Sequence, residues 1–204
     1  MHSDSLFPQP QIVNWHASHL MIDLETYGLR NDAAIAAIGA CHFDPYRHST
    51  HEELAAHGFC VVIDRMDSAR RGRSIDIETL KWWATQPAEA QAALTLDPQP
   101  LDVAIHRFLL WLSNWCYTST GVWANSPQFD LIKLQDTMSA LGQLWPLPFW
   151  IERDIRTLDH LAWPNGDRPP PERPLHDALN DAIYQARRVQ WAYSLLGLAT
   201  AQSR

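Results

Sequence analysis

Four acidic residues and one histidine carry the chemistry open to this 204-residue chain: Asp23 and Glu25 in HLMIDLETYG, Asp130 in WANSPQFD, and His176 with Asp181 in LHDALNDA. Asp23 and Glu25 stand two apart in an apolar run that reads as a strand, so their side chains leave one face. Carboxylates so close in apolar surroundings repel and raise each other's pKa unless a cation joins them. Hard oxygen donors without paired Cys or His suit Mg²⁺ or Mn²⁺ rather than Zn²⁺. Two such ions sharing carboxylates are a common means of cleaving a phosphodiester. Each acid also has a plainer explanation when taken alone. Alternation at a strand end accounts for Asp23 and Glu25, a first-turn acid on the helix dipole for Asp130, and a solvated His and Asp for the last pair. Five residues on one helix lie about 140° apart, so His176 is expected ahead of the last helix. Asp177 would then be the N-cap, and Asp181 would point inward from the second turn. A histidine on a flexible approach suits a general base, because its pKa lies near neutrality.

These residues are expected at the ends of regular elements. Strands are predicted over His19–Glu25, Ala34–Phe43 and Phe59–Asp64 as a meander, then over Val122–Asn125 and near 151–155. Helices are predicted over Asp76–Thr85 with Asp76 as N-cap, over 87–95, and over 99–116 with Val103, Phe108, Leu110 and Trp111 on its apolar stripe. Pro127 fits the first turn of a helix running to Leu141. WPLPFW at 145–150 should be extended, a short helix should end near Ala162, and WPNGDRPPPERP should be a loop. A last amphipathic helix is expected over Asp177–Leu196. The sum is an α/β fold, a mixed β-sheet flanked by helices. Residues 1–17 read as a loose leader and 18–204 as a single domain.

Bulk properties are those of a globular protein, with 46% hydrophobic and 19% charged residues. A formal net charge of −7 argues against a protein that coats long duplexes. It leaves open an enzyme that grips one short end through metals. Cys41, Cys60 and Cys116 show no CxxC spacing and read as buried free thiols. No signal peptide or membrane span is expected, and the protein reads as cytoplasmic.

Taken jointly, the motifs Asp23-Leu-Glu25-Thr26-Tyr27-Gly28, Asn125-Ser-Pro-Gln-Phe129-Asp130 and His176-Asp-Ala-Leu-Asn-Asp181-Ala182 resemble those of the DEDDh family of 3′–5′ exonucleases: DxETxG, NxxxFD and HxAxxDA. The match spans residues 19–197 and looks closest to the small phage and bacterial exoribonuclease-like group. The resemblance implies an RNase H-like fold and a cofactor of two Mg²⁺ or Mn²⁺. Asp23, Glu25 and Asp181 would hold one ion, and Asp23 would bridge to a second with Asp130. His176 would be the base, and nucleoside 5′-monophosphates would leave single-stranded 3′ ends, RNA slightly ahead of DNA. Thr26, Gly28, Asn125 and Phe129 fall where the family meets nucleic acid, and Tyr27 replaces a second Thr common there. Trp82 and Trp83 point about 100° apart on a helix, so one is expected in the core and the other is free to stack on a base. Asp154, Arg156 and Thr157 could support the site from behind, or simply form a salt bridge. A homodimer is expected from the same resemblance. Rival readings are a DNA-directed exonuclease, a catalytically idle nucleic-acid-binding module and a structural protein. The last draws on the lack of a basic patch.

Overall fold

A computed structural model of the protein describes residues 18–173 and 176–198; the expected leader over 1–17 lies outside them. In chain order the elements are β1 (His19–Thr26), β2 (Ile35–Phe43), α1 (His51–Ala55), β3 (Phe59–Val62), α2 (Arg65–Arg70), α3 (Ile77–Ala84), α4 (Ala88–Ala93), α5 (Leu101–Ser113), β4 (Gly121–Ala124), α6 (Asp130–Ala140), β5 (Glu152–Asp154), α7 (Ile155–Ala162) and α8 (Ala178–Leu195). One mixed sheet has the order β3-β2-β1-β4-β5. The first three strands form the antiparallel meander, and β4 and β5 join in parallel.

Strand β1 lies at the centre, and its alternation sorts two cores. Leu20, Ile22 and Leu24 pack with α5 and α6 on one face. Met21 packs with Cys41, Trp123, α7 and α8 on the other. Asp23 and Glu25 therefore leave β1 toward α8, as spacing by two requires. The β1–β2 register slips between Glu25 and Thr26, an irregularity that re-aims the strand end where the acids emerge.

The approach of α8 to the sheet depends on Gly39. This residue pairs with Asp23, and a Cβ built on it would lie 2.0 Å from the carbonyl carbon and oxygen of Ala178. A glycine inside a strand pattern is a recognised sign of such close backbone approach. We predict that Gly39→Ala costs about 3 kcal/mol, because helix backbone cannot rotate away as a side chain can. The melting temperature should fall by roughly 6–12 °C in a circular dichroism melt. An unchanged melt would mean that strand and helix part freely here.

Several expectations need correction. The buried stripe of α5 is Leu101, Ala104, Ile105, Phe108 and Leu112, while Val103 and Leu110 are exposed. At 3.6 residues per turn, 103 and 108 lie about 140° apart and cannot share a face. Of the three free thiols only Cys41 is buried; Cys60 faces out from the edge strand β3, and Cys116 is half-buried. WPLPFW runs into a 3₁₀ turn at Phe149–Ile151. Helices α1 and α2 were not expected. The first carries a capping box, Thr50 with Glu53, and the second is capped by Asp64. No helix among the described residues is long and apolar enough to cross a membrane.

Candidate active site

All five chemistry-bearing residues line one cavity of about 380 Å³. Asp23 and Glu25 come from β1. Asp130 opens α6, whose lead-in turn is closed by the Phe129 and Asp130 amides donating to the Ser126 carbonyl. Asp181 lies in the first turn of α8, slightly earlier than expected, behind the N-cap Asp177. His176 precedes that cap with a φ of 68°, and its amide donates to Asp181 Oδ2 at 2.8 Å.

Electrostatics in the cavity are dominated by buried, crowded acids, with Lys133 and Arg156 partly offsetting the charge of Asp130. Burial, then repulsion from Asp130, Glu25 and Asp181, holds Asp23 well above the usual carboxylate range. Burial and the same kind of repulsion push Glu25 up to about 8. Burial also raises Asp130 to about 7 and Asp181 to about 6. Burial lowers the pKa of His176 below its ordinary value. Opposing the repulsion on Asp23 is Gln185, one turn beyond Asp181 on α8, whose Nε2 donates to Asp23 Oδ1 at 2.6 Å.

The donor set fits a divalent cation. Ligand atoms of Glu25, His176 and Asp181 all lie within 4.8 Å of one another, and Asp23 and Asp130 stand in the same cavity. The buried Oε1 of Gln185 has no hydrogen-bond partner among the described residues. An orphaned acceptor lining a polar cavity suits a site that holds a hydrated ion. One imidazole among four carboxylates favours hard ions.

A second cavity of about 450 Å³ adjoins the first, sharing Leu24, Glu25 and Phe129, and adds Thr26, Leu29, Thr79, Trp82 and Trp83. The two tryptophans divide as their 100° separation requires. Trp83 is 6% exposed and donates its Nε1 to the Thr26 carbonyl, whereas Trp82 is 44% exposed on the cavity rim. The His176 ring stands edge-on to both, at 5.1 and 5.9 Å between centroids. Asn125 lines the acidic cavity at the end of β4. Gly28 lines neither, and a Cβ there would come within 3.1 Å of Ala33 Cβ, so packing accounts for it. Tyr27 is buried away from both cavities under Arg65. Asp154 caps α7 through the Arg156 amide. The Arg156 side chain enters the acidic cavity without pairing to Asp154, and Thr157 lines neither cavity.

Sequence reasoning passed over several residues here. Gln185 could have been found at i+4 from Asp181. Lys133 is fully buried, donates to the Leu29 carbonyl at 3.1 Å and sits 3.2 Å from the Phe129 ring centre. It ties the turn after β1 to α6, and its i+3 spacing from Asp130 was the available signal.

Comparisons with known proteins bear on the family and the fold. A relative, the exodeoxyribonuclease of Enterobacteria phage T4, is 28% identical over 161 residues, which cover 67% of this chain and 68% of that protein. Among solved structures, cell-death related nuclease 4 superposes with a TM-score of 0.52 at 13% identity, covering 88% of this chain and 64% of that one. A product-bound exonuclease I gives 0.55 at 13% identity over 89% of this chain and 43% of that one. The zinc-bound E. coli exonuclease I–single-stranded DNA complex gives 0.57 at 14% identity, over 92% and 41%. The chain thus spans under two thirds of these structures' lengths, and at such identities they show the RNase H-like fold alone. The model of the 3′–5′ exoribonuclease Rv2179c-like domain matches residues 18–193, and the chain belongs to that family.

Proposed function

We propose that the protein hydrolyses single-stranded nucleic acid from its 3′ end, releasing nucleoside 5′-monophosphates with RNA slightly preferred over DNA. The observation that carries this is the convergence of Asp23, Glu25, Asp130, Asp181 and His176 in one cavity beside an apolar one. Asp23, Glu25 and Asp181 would hold one Mg²⁺ or Mn²⁺, and Asp23 with Asp130 a second. Bound there, these cations would acidify the attacking water and stabilise the leaving 3′ oxygen. His176, seated beside Glu25 and Asp181 with its pKa lowered by burial, would take the proton of that water. Gln185 orients Asp23 through its amide. The terminal base enters the apolar cavity against Trp82 and Phe129, with the Thr26 backbone fixed by Trp83. A DNA substrate is the second reading, favoured by the likeness to the phage exodeoxyribonuclease. Degrading 5′-labelled RNA and DNA strands side by side tests both. Shortening from the 3′ end, faster on RNA, is expected. A faster DNA ladder would select the second reading, and both strands remaining intact under Mg²⁺ and under Mn²⁺ would sink the proposal.

Crowded acids also set the metal-free stability. Each has its pKa raised in the folded state, so stability is fully present below the unfolded value and lost as pH rises through about 6 to 8. In EDTA the melting temperature should therefore fall between pH 5 and pH 8. Mn²⁺ at about 100 times its Kd should restore roughly 2.7 kcal/mol, or about 5–10 °C, at pH 8. The increment should shrink at pH 5, where protons compete for the carboxylates. A metal increment independent of pH would contradict ligation by these acids.

A further inference from the structure

Three guanidinium groups line the acidic cavity, and none lines the one that holds Trp82. They are Arg156 of α7, Arg168 of the loop after it and Arg188 of α8, and Pro171 and Tyr184 line the cavity with them. The Arg188 side chain is almost wholly buried. Its Nε and Nη2 donate to Asp159, and its guanidinium lies 5.3 Å from the Tyr184 ring centre. Arg168 Nη1 donates to the same Asp159 carboxylate at 3.3 Å. The loop bearing it is pinned to α8 by the Tyr184 hydroxyl, which donates to the Pro169 carbonyl at 2.7 Å. Arg156 has no ion-pair partner among the described residues. Asp159 is shared by Arg188 and Arg168, while the charge of Arg156 reaches Asp130 and lowers its pKa, so the three guanidiniums stand at an otherwise acidic cavity in a chain whose net charge is −7.

A structural role alone does not explain this cluster. The Arg188–Asp159 pair by itself would join α8 to α7, and the exposed Arg156 and Arg168 need not face the same cavity to do so. The apolar cavity has no arginine in its lining, the acidic cavity has all three, and Glu25 lines both. That division suits a strand held by its 3′ end, with the terminal base in the first cavity and the scissile linkage and further phosphates in the second. Guanidinium forks bind phosphate oxygens regardless of base and fix a strand's register.

Resting on the exonuclease reading above, we propose that Arg156 and Arg168, the latter braced with Arg188 on Asp159, bind backbone phosphates on the 5′ side of the scissile linkage. The ligand is a strand longer than a dinucleotide, and the site makes affinity rise with length.

The test is fluorescence anisotropy on a labelled dodecanucleotide and a labelled dinucleotide, both carrying phosphorothioate linkages that resist cleavage, with the full-length protein. Arg156→Gln with Arg168→Gln should weaken dodecanucleotide binding tenfold or more. The slope of log Kd against log salt should fall by about 1.4, two phosphates at ~0.7 each. The loss on the dinucleotide should be at least several-fold smaller. The double lysine variant keeps both charges and should recover most of the salt slope while binding more weakly than arginine. Equal losses on both lengths, or an unaltered dodecanucleotide affinity and slope, would overturn the proposal. Mononucleotide release from ordinary strands is read separately. Arginine-dependent binding without release would support the phosphate site and count against the exonuclease reading, so the two failures look different.

Discussion

Asp23→Asn is expected to lower turnover by about 10⁴-fold or more while making the metal-free protein more heat-stable at pH 8. Asp23 is the most crowded acid of the site, with Asp130, Glu25 and Asp181 all acting against its charge. It is also the one residue proposed to touch both ions, so an amide there removes ligation that no neighbour can replace. In EDTA the same change deletes one buried negative charge, and the Asn oxygen can still accept from Gln185. Relief of about 1 kcal/mol corresponds to roughly 2–4 °C. Addition of Mn²⁺ should reverse the ranking, stabilising the unaltered protein and leaving the variant little changed. A variant less stable in EDTA and equally responsive to Mn²⁺ would show that Asp23 is a structural residue.

His176→Ala should slow turnover by roughly 10²–10⁴-fold, the usual contribution of a positioned base. Burial lowers the His176 pKa below its ordinary value of 6.5, so the acid limb of the rate–pH profile should fall below that value and vanish in the variant. The ring also stands close enough to Glu25 and Asp181 to ligate a metal, and the two roles separate in one titration. A base leaves the Mn²⁺ concentration for half-maximal rate within a few-fold of the unaltered protein. A lost ligand would raise it by roughly 10–100-fold, as losses around metal sites do. The left-handed backbone at this position strains Ala as well, so His176→Gly, which relieves that strain, should show the same loss of rate.

Much of the site was legible because its residues stand in short local motifs. The spacing of Asp23 and Glu25 in an apolar run already placed both acids on one buried face. The 140° between His176 and Asp181 already put the histidine ahead of the helix, where it lies, with Asp177 as cap. Trp82 and Trp83 divided between cavity and core as adjacent helical residues must. Legibility ended where position depends on packing between distant segments. Arg156, Arg168 and Arg188 lie in two helices and a loop, so a basic cluster was invisible in a chain that is acidic overall. Gly39 stands in the sequence only as one glycine inside the strand predicted over Ala34–Phe43, and its meaning depends on Ala178, far along the chain. In α5 the expected stripe was right for Phe108 and Trp111 and wrong for Val103 and Leu110, because hydrophobic residues occur all around that helix and only the sheet decides which side is buried. The short helices α1 and α2 owe their existence to caps, a signal carried by Thr50, Glu53 and Asp64 that hydrophobic periodicity overlooks.

The most direct test follows the first product from a strand labelled on its 3′-terminal nucleotide, incubated with Mn²⁺ or with EDTA. In Mn²⁺ the label should leave as a nucleoside 5′-monophosphate from the earliest time point, and neither EDTA nor Asp23→Asn should permit release. Label leaving first on longer fragments, or mononucleotide release that survives EDTA or the Asp23 substitution, would contradict a metal-dependent 3′–5′ exonuclease centre built on these carboxylates.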